Sequence, residues 1–272
     1  MIVTVSGATG FIGRKLVAAL KEKEHTVRVL ARDPDRAKAQ LLPAGAWKWD
    51  ALSGPPPIEA LSGSDAVIHL AGEPLAEGRW TKSRKEELRR SRINATRDLV
   101  RALKDASPRP KILLSGSAIG YYGNVPDGAL DDDAKPGSDF LSDLCREWEV
   151  AAQNAEALGM RVVYLRTGVV LGEGGALAKM KLPFKLGAGG RLGSGKQWMS
   201  WIHVDDEVAL ILHALENDAI RGPLNATAPT PVTNADFTKA FGRAMHRPAI
   251  LPAPAFALKI ALGEMADRKS VV

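Results

Sequence analysis

Short β-branched, apolar runs alternate along the chain with longer stretches in which apolar residues recur every three or four positions. Ile2–Val5 is the first such run. The turn SGATGFIG follows it, and Lys15–Lys23 then places Leu16, Val17 and Leu20 on one helical face. Thr26–Leu30 repeats the buried-strand pattern, so strand, turn, helix and strand fit within about thirty residues. Trp47–Trp49 predicts a short strand ending at Asp50, and Ala66–Leu70 a strand ending in Ala71-Gly72. A long helical stretch covers 81–106. Pro108 and Pro110 break it, and Lys111–Leu114 reads as a strand. Phe140–Leu158 reads as a helix stopped by Gly159, and Arg161–Leu165 as a strand. Strands alternating with helices predict a doubly wound α/β fold, a parallel sheet covered on both faces.

After Thr167 the pattern changes. Residues 172–195 are rich in glycine with lysine and arginine interspersed, and WMSWIHVDDEVALILHALEN then reads as a strand followed by a helix from about Asp205. From Gly222 the chain is proline-rich, with room for short helices around 234–245 and 254–265. The expected organisation is a principal domain over 1–171, to which 200–221 returns, and a smaller substrate-side region formed by 172–199 and 222–272.

Composition narrows the class. A chain of 272 residues can bury about three quarters of its unfolded surface and needs no staple. Cys145 is the single cysteine and there are five histidines, which excludes an internal disulfide and argues against a Cys/His metal cluster. Cys145 itself reads as a small packing residue of a helix. The N-terminus reads as a strand and turn rather than a leader, and no run reaches membrane-spanning length. A cytoplasmic protein without membrane contact is expected. The net charge of +6 is concentrated in KSRKEELRRSR, Lys82–Arg92. On an amphipathic helix this reads as a solvated face, not a nucleic-acid reader, although a basic chain also suits an anionic ligand.

The turn Gly7-Ala8-Thr9-Gly10-Phe11-Ile12-Gly13 carries the clearest chemistry. Gly7 permits the tight exit from a strand, Gly10 lets a pyrophosphate approach the backbone, and Gly13 allows close packing of helix on strand. The helix that follows offers free N–H groups and a positive dipole end. The motif predicts a dinucleotide site of Rossmann type. At the end of the second strand an acid would accept the ribose 2′-hydroxyl of NAD, and an arginine would pair with a 2′-phosphate. Arg32 stands there with Asp33 after it. The expected cofactor is NADP, the alternative being that Asp33 takes the ribose.

SGATGFIG, HLAG at His69–Gly72, the helix segment Asn94-Ala95-Thr96 with Leu99, SGSAIGYYG, FLSDLCREWE, RTGVVLG, WIHVDDEVA and GPLNATAP together resemble the extended short-chain dehydrogenase/reductases. Within them the chain looks like the atypical epimerase family proteins related to NAD-dependent epimerase/dehydratases. The resemblance implies that Asp50 lies near the adenine, and that Leu70, Ala71, Gly72 and Glu73 line the cofactor. It implies that Ser117 hydrogen-bonds the reacting oxygen and that Asn94 stands at the active-site wall. It also implies a Tyr-x-x-x-Lys pair on the helix after the serine strand, and here Leu141 and Cys145 occupy those positions. Tyr121 and Tyr122, just after the serine strand, are the candidate replacements for the proton donor. Asp139 and Asp143 are further candidate bases, and Lys179, Lys181, Arg191 and Gln197 candidate contacts for an anionic substrate. A further C-terminal stretch beyond Asp267 is expected of such proteins. The function expected is that of an NADP-binding oxidoreductase or epimerase-like protein acting on a small hydroxyl or carbonyl compound, nucleotide-sugar-like, as monomer or homodimer. The rival expectation is a non-catalytic NADP sensor.

Overall fold

The computed structural model describes residues 1–75, 77–125, 130–187 and 189–249. Seven parallel strands form one sheet. In chain order they begin with β1 (Ile2–Ser6), β2 (Thr26–Ala31), β3 (Gly45–Lys48), β4 (Ala66–His69), β5 (Ile112–Ala118) and β6 (Arg161–Thr167). Two small pairings follow at the edge: β7 (Val169–Leu171) with β9 (Trp201–His203), and β8 (Trp198–Met199) with β11 (Val232–Thr233). The seventh sheet strand is β10 (Gly222–Ala226), beside β6. The sheet order is β10-β6-β5-β4-β1-β2-β3. Strand order therefore reverses between β1 and β4, the crevice where ligands of open α/β sheets bind.

The helices are α1 (Phe11–Glu22), α2 (Pro34–Leu41), α3 (Ile58–Leu61), α4 (Lys82–Arg89), α5 (Ala95–Asp105), α6 (Phe140–Gln153), α7 (Gly175–Lys185), α8 (Val204–Glu216) and α9 (Asn234–Ala244). Leu16, Val17 and Leu20 of α1, with Ile211 and Leu215 of α8, cover one sheet face over Val3, Val5 and Leu114. Leu99 and Leu103 of α5 and Ala152 of α6 cover the other over Val67, Leu113 and Val162. Each fully buried leucine contributes about 2 kcal/mol relative to exposure. A doubly wound sheet between two helical layers is thus what the period-switching pattern predicts.

The differences from that pattern are local. The second strand extends to Ala31, while the third strand lies at Gly45–Lys48, so Trp49 and Asp50 belong to the turn beyond it. α2 carries only Ala37 and Leu41 as buried residues, too few for periodicity to mark it. The predicted helix 81–106 is α4 and α5 joined by a π-helical turn, Arg90–Asn94. β10 draws 222–226 into the main sheet rather than the smaller region. The helix expected around 234–245 is α9; the one expected around 254–265 lies outside the described residues.

Candidate functional site

The turn between β1 and α1 is closed by a hydrogen bond from Gly10 N–H to the Gly7 carbonyl at 3.0 Å. Gly7 takes a left-handed φ of 72°, and a Cβ there would lie 2.7 Å from the Leu70 carbonyl carbon. A Cβ on Gly13 would lie 2.2 Å from the Gly7 oxygen, so these two glycines are demanded by the fold itself. Gly10 differs: its Cβ would meet only the Gly7 oxygen, at 3.1 Å, with the outer side open. The first helical bond of α1 runs from Arg14 N–H to the Gly10 carbonyl. No side chain caps the helix and its first turn holds no acid. Its leading N–H groups, those of Phe11, Ile12 and Gly13, are left for a ligand, and an anion is the partner they favour. Thr9 and Gly10 are exposed at the rim. The Phe11 ring lies under the glycine-rich segment, where a Cβ on Gly174 would come within 2.6 Å of it. The glycines of 172–175 thus let that backbone close over the start of α1.

Arg32 leaves the end of β2 with its side chain 76% exposed, and its Nη1 stands 3.6 Å from Glu73 Oε1. Asp33 turns the other way: its Oδ1 accepts the Arg36 N–H at 3.0 Å and caps α2. A capping carboxylate is held by its own helix, so the geometry separates the two residues that sequence leaves in competition. Asp50 closes a turn after β3, accepting the Leu52 N–H at 3.0 Å, and the Trp49 N–H donates to Ala31 to keep that turn beside β2. Leu70 and Ala71 abut the glycine turn: the Leu70 N–H donates to the Ser6 carbonyl and the Ala71 N–H to Ser6 Oγ. Gly72 is exposed, and the Glu73 N–H donates to Ser91 Oγ at 3.2 Å. The structure therefore gathers Gly7–Gly13, Arg32, Asp50 and Leu70–Glu73 around the carboxyl ends of β1, β2, β3 and β4.

On the far side of the switch point, Ser117, Tyr121 and Tyr122 meet in one buried network. Ser117 Oγ donates to Glu149 Oε1 at 2.6 Å. Arg166 binds the same carboxylate through two bonds, Nε at 2.9 Å and Nη2 at 2.8 Å. Its Nη1 donates to the Tyr122 hydroxyl at 2.8 Å, and that hydroxyl donates in turn to Asn225 Oδ1 at 2.6 Å. The Arg166 guanidinium lies 3.6 Å from the centroid of the Tyr121 ring, a cation–π contact. Burial opposes the charge on Arg166, but hydrogen bonds to Glu149 and Tyr122 outweigh it and hold its pKa above the ordinary value. Burial raises the Tyr122 pKa, with Arg166 partly countering it. The Ser117 and Tyr122 hydroxyls thus both donate to protein partners. Gly116 stands between the serines because a Cβ there would lie 3.0 Å from the Trp148 ring.

Leu141 and Cys145 of α6 are buried against Gly120; a Cβ on that glycine would be 3.3 Å from Leu141 Cβ and 3.6 Å from Cys145 Sγ. Asn94 is exposed, and Ser91, Arg92 and Ile93 are the buried side chains of that turn. Asp139 caps α6 and Asp143 pairs with Arg146. Lys179 faces Glu77 at 3.5 Å, Gln197 donates to the Leu192 carbonyl, and His203 caps α8. The charges of Lys82–Arg92 are also less free than a solvated face implies: Arg84 pairs with Glu87 and Arg89 with Glu147. Sequence reasoning missed Glu149, Arg166 and Asn225 as partners. The one available signal was a pair of arginines, Arg161 and Arg166, in an otherwise apolar strand. Among the described residues, no helix is long and apolar enough to cross a membrane and no His/Cys/Asp/Glu group is placed to hold a metal.

The sequence model of the NAD dependent epimerase/dehydratase family matches residues 3–226. An Arabidopsis thaliana relative, a chloroplastic epimerase family protein SDR39U1 homolog, is 44% identical over 97% of this chain and 76% of its own length. Human epimerase family protein SDR39U1, solved with NADPH, is 37% identical, covering 97% of this chain and 86% of that one at a TM-score of 0.84. A nucleoside-diphosphate sugar epimerase from Corynebacterium glutamicum is 36% identical, covering 96% of this chain and 54% of that one at a TM-score of 0.76.

Proposed function

The chain belongs to the NAD-dependent epimerase/dehydratase family, and from that membership we propose that it is an NADP-binding oxidoreductase or epimerase-like protein acting on a small hydroxyl or carbonyl compound. The observation that carries the cofactor assignment is the division of labour at the end of β2: Arg32 is exposed toward the crevice while Asp33 is spent on capping α2. A guanidinium pairs with a phosphate in a fork that no carboxylate can offer. The human relative was solved with NADPH, in agreement with this reading. Gly7–Gly13 would hold the pyrophosphate, with the N–H groups of Phe11, Ile12 and Gly13 as donors. Arg32 would take the 2′-phosphate, Asp50 would border the adenine, and Leu70–Glu73 would line the ribose.

When bound, NADP supplies the hydride acceptor, or NADPH the donor, for a substrate carbon. Ser117, at the end of β5, and Tyr121, just after it, would face the substrate oxygen; Ser117 Oγ gives its proton to Glu149 and keeps lone pairs to accept from a substrate hydroxyl. Tyr122 positions Tyr121 and Arg166 rather than moving a proton, because its own hydroxyl is held at both ends. A nucleotide sugar is the substrate class suggested by the Corynebacterium relative's name. The lone buried cysteine suits a reducing compartment, and we place the protein in the cytoplasm.

One observation favours a second reading. Leu141 and Cys145 stand where the resemblance puts the catalytic Tyr and Lys, and Ser117 is tied to Glu149. A protein of this kind would bind NADP without turnover and report on redox state. Calorimetric titration of cofactor-stripped protein with NADPH and NADH tests the common premise. Preference for NADPH supports it, and binding of neither overturns it. Turnover of NADPH in a screen of small carbonyl compounds then separates enzyme from sensor. Arg32→Asp is expected to weaken NADPH far more than NADH; equal losses would refute the 2′-phosphate assignment.

A further inference from the structure

Arg92 has no part in the arrangement described so far, yet it is one of the most buried cations in the chain. It is 7% exposed, in the middle of the π-helical turn Arg90–Asn94. Its guanidinium lies over the Trp148 ring, 5.3 Å from the centroid. Its hydrogen bonds go to neutral oxygens only: Nη2 donates to the Glu73 carbonyl at 2.8 Å and Nη1 to Ser91 Oγ at 3.3 Å. Among the described residues no carboxylate comes within salt-bridge distance of it; the Glu73 carboxylate is turned to Arg32 and Arg84. A guanidinium carries five N–H donors. A buried cation without a carboxylate is a costly feature unless a further oxygen-bearing partner completes it. Burial lowers its pKa to about 10, Cys145 and Glu73 opposing and Arg84 reinforcing the effect, so the charge persists at neutral pH.

Its position says what that partner is. A Cβ on Gly72 would lie 3.4 Å from Arg92 Cζ, and Gly72 follows the Leu70–Ala71 segment that touches the glycine turn. Arg32 and Asp50 mark the adenine side over β2 and β3. The sheet order puts β4 and β5 on the opposite side of β1. A dinucleotide whose pyrophosphate rests on α1 therefore extends its other half over β4 and β5, toward Arg92. The π turn adds the register shift that points Arg92 inward and leaves Asn94 exposed; such turns recur at functional sites.

We infer that Arg92 anchors the nicotinamide half of the dinucleotide, its remaining guanidinium N–H groups donating to oxygens of the nicotinamide ribose. The inference rests on the NADP reading above. The probes are NADPH and adenosine 2′,5′-bisphosphate, which keeps the adenine half and lacks the other. Wild type, Arg92→Gln, Arg92→Met and Arg92→Lys are titrated with both by calorimetry. The expected result is a loss of about tenfold or more in NADPH affinity for Arg92→Gln and Arg92→Met, unchanged bisphosphate affinity, and partial recovery in Arg92→Lys. Unchanged NADPH affinity, or equal losses for both probes, overturns the inference; the second pattern is what a merely structural arginine would give. If wild type binds neither probe, the NADP reading itself has failed. Amide exchange on wild type gives a measurement that needs no variant. NADPH, and not the bisphosphate, should slow exchange in the segment 88–96, and equal protection by both, or none by NADPH, would count against Arg92.

Discussion

Glu149 and Arg166 are each buried to within a tenth of their side-chain surface and joined by two bonds. Removing one member of such a pair strands the other's charge, which costs about 3–5 kcal/mol, whereas replacing both by apolar residues of similar size costs far less. Glu149→Leu is therefore expected to lower the urea midpoint sharply, and Glu149→Leu with Arg166→Met to recover most of the loss. Additive losses in that double-mutant cycle would show that the two side chains are not coupled. Tyr122→Phe removes one acceptor from Arg166 and one donor from Asn225, an expected loss of about 1–3 kcal/mol. Ser117, through the resemblance, and the two tyrosines, through their place just after a strand end, were legible as candidates. Their partners were not: Glu149, Arg166 and Asn225 lie on three other elements, and a charge in an apolar strand has no visible meaning until its counter-charge is placed. Arg32 and Asp33 show the opposite case, adjacent residues that a single capping bond sets apart, Asp33 held to α2 and Arg32 left exposed.

The glycine turn divides into Gly7 and Gly13, which the fold needs, and Gly10, which the packing leaves open. Gly13→Ala puts a Cβ within 2.2 Å of the Gly7 oxygen, so α1 must move off β1 and the protein should be strongly destabilised. Gly10→Ala meets only one atom, at 3.1 Å. It is expected to leave the melting temperature nearly unchanged while weakening NADPH by about tenfold or more, since the methyl enters the pyrophosphate's approach. Thermal melts and calorimetry on the two variants check this, and a Gly10→Ala protein with wild-type NADPH affinity would show that the turn is structural throughout. The α4–α5 segment shows why element-level reading stops where it does. Periodicity saw one helix over 81–106, but counting by 3.6 across a π turn slips by a residue. That slip is why Arg92, read as part of the solvated face Lys82–Arg92, is buried instead. β10 was lost differently: GPLNA holds a proline and an asparagine, and an edge strand tolerates both.

At the scale of the whole molecule, two buried titratable groups oppose one another. His69 is fully buried on β4, bonded through Nδ1 to Ser6 Oγ, and burial lowers its pKa to about 4. Glu207 is fully buried on α8, with Oε1 accepting the Thr167 hydroxyl at 2.8 Å and Oε2 without a protein partner, and burial raises its pKa to about 7. The unfolded chain binds more protons at His69 between about pH 4 and 6.5, so stability from that group rises with pH across this window. The folded chain binds more at Glu207 between about pH 4.5 and 7, so its contribution falls over nearly the same window. Each effect is on the order of 3 kcal/mol, and in the wild type they largely cancel. Glu207→Gln keeps an acceptor for Thr167 and cannot ionise. It should match wild type near pH 4.5 and exceed it by about 3 kcal/mol at pH 8. The variant's stability should therefore climb with pH from 4.5 to 6.5 where the wild type stays level. Urea denaturation at pH 4.5, 6 and 8 measures this. A difference between variant and wild type that stays constant across those pH values would mean that the Glu207 carboxyl does not titrate in that range.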